Sequence, residues 1–109
     1  MNVGKLYLNK ENYWLLYPSK DIAATATAST ATNAAADAHA TVAAALVLAA
    51  YWSKEYNCNV TYISENSIFC LLEEDGNFLK VLSTNGELGW MIYRKNEAWT
   101  KGCIEEVKE

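Results

Sequence analysis

An α+β domain is what this sequence predicts, a small antiparallel β-barrel beside one long Ala-rich α-helix. Three observations lead there. From Ser67 to Tyr93, three apolar stretches are split by Asp75-Gly76 and Asn85-Gly86. Such dipeptides accept the positive φ angles of short hairpins. From Lys20 to about Tyr56 there is neither Gly nor Pro, and Ala dominates; Ala is the best helix former. The remaining apolar runs are short and closely spaced, the pattern of a small barrel.

At 109 residues the chain is one domain, long enough to bury a core without staples. Its expected parts are a strand region over 1–18, the helix over 19–57 and the barrel strands over 58–109. In the first part Leu6-Tyr7-Leu8 and Tyr13-Trp14-Leu15-Leu16-Tyr17 flank a polar turn, Asn9 to Asn12. This reads as strand–turn–strand, or as one strand and a loop with an aromatic anchor. Pro18 ends it, since proline cannot donate to a ladder. Ser19 is a good N-cap, and Asp21 suits the positive end of the helix dipole. Asn57 and Asn59 are stop residues.

A helix from Lys20 to Tyr56 would run about 55 Å at 1.5 Å per residue, against a barrel only about 20 Å tall. It would overhang its own domain unless it breaks in two. Along it Ala24, Ala28, Ala31, Ala35, Ala38, Val42, Ala45, Ala49 and Trp52 recur at alternating steps of four and three, a heptad seam. Small residues on a seam let two backbones approach closely. Ala28, Ala31, Ala35, Ala38, Val42, Ala45, Ala49 and Trp52 are therefore the candidate binding face of the helix. Its partner is the same helix in a second copy or a half of this helix folded back. The plainer alternative packs one Ala face on the barrel and leaves the rest solvated. Val42 to Trp52 is the most apolar part, yet too short to span a bilayer.

After the helix, Asn59–Ile63, Ser67–Leu72, Phe78–Leu82, Leu88–Tyr93 and Cys103–Val107 read as strands. The chain is rich in aromatics for so small a barrel. Those expected at its surface, Tyr62, Phe78, Trp90, Tyr93 and Trp99, are the second set of candidate binding residues, because Tyr and Trp bury large area at low entropic cost. Trp52 is the expected anchor of the helix on the barrel or on a second helix.

The net charge is −4. Lys5, Lys10 and Lys20 balance Glu11, Asp21 and Asp37, so the excess lies wholly beyond residue 53, where six bases face ten acids. No Lys/Arg cluster of the nucleic-acid-binding kind occurs. Three widely spaced cysteines, Cys58, Cys70 and Cys103, form neither a disulfide framework nor a Cys-x-x-Cys motif; they fit reduced thiols in a cytoplasmic protein. His39 is the only histidine, with no second ligand at metal spacing. No cofactor or metal is expected, and no acid–base pair suggests catalysis. Glu73-Glu74-Asp75 reads as a solvated hairpin tip.

The stretch Leu71 to Val81, with Glu74-Asp75-Gly76 and Phe78-Leu79-Lys80-Val81, followed by Asn85-Gly86-Glu87-Leu88-Gly89-Trp90-Met91, resembles the central hairpins of bacterial SH3-like domains. The likeness covers roughly Asn59 to Val107. It implies a small, strongly bent antiparallel barrel that binds peptides, cell-wall fragments or partner subunits. The Ala-Leu-Tyr-Asp-Tyr and Pro-x-Asn-Tyr stretches of the eukaryotic polyproline groove are absent; Met91-Ile92-Tyr93-Arg94 follows Trp90. The helix also resembles the Ala-rich repeat of helical antifreeze proteins, through Thr30 and Thr41 at an eleven-residue step. The functional expectation is a non-enzymatic protein-interaction module, a homodimer or a docking subunit. The alternatives are an accessory subunit of an enzyme and, more remotely, an ice-binding helix.

Overall fold

The computed structural model describes residues 1–29, 34–95 and 97–108, with the side chains of residues 29, 34, 35 and 99 outside the description. In chain order it forms strands β1 (Leu6–Asn9) and β2 (Tyr13–Leu16), helices α1 (Lys20–Ser29) and α2 (Ala34–Asp37), strand β3 (Ala38–His39) and helix α3 (Val42–Glu55). Strands β4 (Thr61–Ile63), β5 (Ile68–Asp75), β6 (Phe78–Ser83) and β7 (Leu88–Ile92), a 3-10 turn over Ala98–Thr100 and β8 (Ile104–Glu106) complete it.

All pairings are antiparallel. One sheet has the order β7-β6-β5-β1-β8, the other β3-β2-β4. Barrel closure is not detected. The two sheets touch through one bridge, where Tyr17 and Trp90 exchange both backbone bonds at 2.7 and 2.8 Å. The chain also passes directly from one to the other twice, from β1 to β2 and from β4 to β5. β1 pairs β5 with Leu6 opposite Cys70, and β2 pairs β4 with Leu16 opposite Thr61. Across the bend the register slips by one residue, so the chain turns from one sheet into the other as a bulge does.

Asn9 holds that corner. It is fully buried, and its Nδ2 donates to the carbonyls of Asn12 at 2.9 Å and Ser64 at 2.8 Å. Its Oδ1 accepts from the Trp14 indole N–H at 2.9 Å. Asn12 and Asn66, one in the connection from β1 to β2 and one in that from β4 to β5, sit at φ 72° and 69°, a left-handed region that Asn tolerates.

β2 is buried on both faces. Trp14 and Leu16 enter a core with Tyr7, Phe69, Leu71, Leu79 and Met91. Leu15 and Tyr17 enter a second core with Ala23, Ala26, Ala36, Ala45, Ala49 and Trp52. This explains the unbroken apolar run of Trp14 to Tyr17, which strict alternation would not produce. Gly89 on β7 makes the close approach possible: a Cβ there would lie 2.9 Å from the Tyr17 carbonyl oxygen and 3.0 Å from Leu16 Cβ.

The hairpin turns form where expected, with Gly76 and Gly86 at φ 61° and 87°. Ser19 accepts the Ile22 N–H at 3.2 Å and starts α1; Asn57, at φ 49°, follows the end of α3. The continuous helix expected over 19–57 does not form. Ala38 and His39 are a strand, paired with Trp14 and Tyr13, and Thr41 caps a new helix by accepting the Ala44 N–H at 3.2 Å. Two physical demands outweigh Ala's helix propensity here. The edge of buried β2 needs backbone partners, and Asp37, wholly buried, is drawn to Arg94 at 2.8 Å. The break also removes the overhang: the molecule measures 41 × 27 × 26 Å.

Candidate interaction surface

The described part of the heptad seam is divided among four elements. Ala28 is exposed on α1, Ala35 lies on α2 and Ala38 is buried in β3, while Val42, Ala45, Ala49 and Trp52 lie on α3. Ala31 and the side chain of Ala35 lie outside the described residues. On α3, Ala45, Ala49 and Trp52 face the second core. Trp52 stacks on Tyr56 at 5.5 Å and meets the edge of Tyr51 at 4.8 Å. Its indole N–H is buried without a partner among the described residues.

The opposite side of α3 is apolar too. Val47 is 67% exposed, Leu46 and Tyr51 52% each, and Val42 43%. Ala43, Ala44 and Ala50 lie between them, and Lys54 and Glu55, at the last turn, are the helix's only charges. A helix that is apolar all round is ordinarily covered all round. On α3 the sequence places the binding seam on Val42, Ala45, Ala49 and Trp52; the core takes the last three, while Val42 stays exposed beside Leu46, Val47 and Tyr51, which the seam omits.

The described members of the second candidate set are partly buried. Phe78 and Trp90 are half-buried against the α-helical core, Tyr62 meets Tyr13 edge-on at 6.0 Å, and Tyr93 meets Trp14 edge-on at 5.4 Å. The Trp99 side chain lies outside the described residues. A further apolar row was not foreseen. Leu6, Cys70, Leu82 and Leu88 are direct cross-strand neighbours over four strands, and the three leucines are exposed. Its sequence signal was there in the apolar residues at both parities of β5.

Titratable groups are spent inside the fold. Arg94 reaches Asp37 through Nε; Asp37 Oδ1 and Arg94 Nη2 are buried without partners among the described residues. Burial therefore outweighs the guanidinium and pushes the Asp37 carboxyl up to about 6. Burial, then the Asp37 charge, raises the Tyr17 hydroxyl, which donates to the Ala36 carbonyl at 2.8 Å. Burial raises the Cys58 and Cys103 thiols, so neither is an activated nucleophile. Among the described residues no group of three or more His, Cys, Asp or Glu could hold a metal ion. No helix among them is long and apolar enough to cross a membrane. His39 is half-buried on β3. Thr41 is spent on the α3 cap, and Thr30, its partner in the eleven-residue step, lies outside the described residues. Comparison with known proteins finds no matching family model, no similar curated protein and no similar solved structure.

Proposed function

We propose that this protein is a non-enzymatic interaction module that self-associates through the outward face of α3. One observation carries the reading: Val42, Leu46, Val47 and Tyr51 are exposed on a helix whose other side is already core. A second copy suits that face. Ala43, Ala44 and Ala50 allow close approach of two helices, and the face carries no charge before Lys54 that an identical face would repel. The β5–β6–β7 meander, with its Asp-Gly and Asn-Gly turns and its Gly89-Trp90 contact to β2, supports an SH3-like description of the sheet part. The three free thiols support a cytoplasmic setting. The row Leu6, Cys70, Leu82 and Leu88 favours a second reading, an accessory subunit docked on a larger enzyme by its five-stranded sheet.

A photo-reactive residue at position 47 tests the proposal. Self-association by α3 yields covalent dimers whose cross-links map to α3 of the other copy. Cross-links mapping to the five-stranded sheet, or none at all, contradict it.

A further inference from the structure

The groove between α3 and β4 borders the face just described, sharing Leu46 and Ala50 with it, and carries observations of its own. It is open, about 400 Å³ in volume, and lined by Leu46, Ala50, Ser53, Tyr62, Ser64 and Glu87 among others. We infer that it binds an extended, lysine- or arginine-bearing segment of a partner protein, added as a further strand on the edge of β4.

The backbone comes first. β4 is the end strand of the order β3-β2-β4. In an antiparallel ladder, bonding direction alternates along each strand. Tyr17 turns its N–H and C=O to Trp90, so Leu15, two residues earlier, also points away from β4. Its cross-strand neighbour Tyr62 therefore directs its own N–H and C=O to the open edge. The edge position before it is already closed: the Ser53 hydroxyl accepts the Val60 N–H at 2.8 Å and donates to the Val60 carbonyl at 3.4 Å. A helix side chain thus mimics a strand at Val60 and stops there. The Ser64 carbonyl beyond it accepts from Asn9 Nδ2 and the Ser67 N–H, so Tyr62 is the position left for an added segment; backbone pairing at such an edge supplies affinity while side-chain pockets supply selectivity.

Charge selects the occupant. Glu87 stands at the groove and forms no ion pair among the described residues. No lysine or arginine lines the groove, and burial raises the Glu87 carboxyl. Ala50 and Ala49 keep the opposite wall low enough for a branched aliphatic side chain. A cation on the incoming segment would therefore meet one unpaired carboxylate and no competing base. Leu46 and Ala50 belong both to the groove and to the exposed face of α3, whereas Tyr62, Ser64 and Glu87 belong to the groove alone, so the strand-edge and charge observations are the ones that carry this inference.

The test is an amide-resolved NMR titration of the full chain with two capped hexapeptides of alternating valine and threonine, one with a central lysine and one with a central glutamate. The lysine peptide should move the amides of Tyr62, Ala50 and Glu87 and saturate at roughly 0.1–1 mM, the range of weak, short-edge recognition. Glu87→Gln should weaken it about threefold, as expected for a partly exposed ion pair. Glu87→Lys should exchange the preference, binding the glutamate peptide instead. Ala50→Trp should fill the groove and abolish binding. Equal binding of both peptides, or no movement at Tyr62 at about 5 mM peptide, would overturn the inference.

Discussion

Replacing Asn9 by Ala should destabilise the fold by about 3 kcal/mol. The number follows from the corner it holds. The substitution removes three side-chain hydrogen bonds, to Asn12, Ser64 and Trp14, each worth about 1 kcal/mol net and more where a buried group is left unpaired. Two partners retain something: the Trp14 indole still reaches the Glu11 carbonyl at 3.2 Å, and the Ser64 carbonyl still accepts the Ser67 hydroxyl. The Asn12 carbonyl loses its side-chain donor. Against a typical total of 5–15 kcal/mol for a domain, this is a large share. Asn9→Asp separates hydrogen bonding from packing. It keeps the shape but sets a carboxylate oxygen against two carbonyls, so it should cost at least as much at neutral pH. Urea unfolding followed by tryptophan fluorescence and by circular dichroism is the assay, with exposed Asn59→Ala as a control expected within about 0.5 kcal/mol of wild type. A loss below about 1 kcal/mol for Asn9→Ala, or near-neutral behaviour of Asn9→Asp, would refute the corner's role.

Two further predictions concern the junctions between layers. Asp37 titrates near 3.8 ordinarily and near 6 in the fold. Between those values the folded chain keeps a proton that the unfolded chain has lost, so this group's contribution declines as pH rises from about 4 to about 6 and is level above. The decline is about 3 kcal/mol, and Asp37→Asn should lack it when stability is measured against pH; parallel curves for the two proteins would refute the account. Gly89→Ala should cost about 1–3 kcal/mol by overpacking, because its Cβ meets the Tyr17 carbonyl and Leu16; an unchanged melting temperature would show that the two sheets separate freely there.

Much of the β-structure was legible in the sequence because its signals are local. The glycines at 76 and 86 fix their turns wherever the rest of the chain goes, and Pro18-Ser19 marks the passage from strand to helix. The helical region was misjudged because its outcome is decided at a distance. Nothing in Thr30 to Thr41 says that β2 requires a partner strand at Ala38, or that Arg94 waits 57 residues beyond Asp37. The one local sign is a lone acid, Asp37, in a run of alanines. Which side of the helix stays exposed was hidden for the same reason. A heptad seam in an Ala-rich helix identifies a face but not which neighbour covers it. Here Ala45, Ala49 and Trp52 were claimed by the chain's own core, leaving Leu46, Val47 and Tyr51 outside. Asn9 looked like any polar turn residue, since its three partners come from a neighbouring turn, the next strand and a loop 55 residues away.

Self-association through α3 is tested most directly by the mass of the particle in solution. Light scattering across a protein dilution series should give twice the 12.1 kDa chain mass for the wild type and the single-chain mass for Val47→Glu, whose fold should be intact because Val47 is 67% exposed. A wild type that stays at the single-chain mass at millimolar concentration, or a Val47→Glu variant that still doubles, would contradict the account.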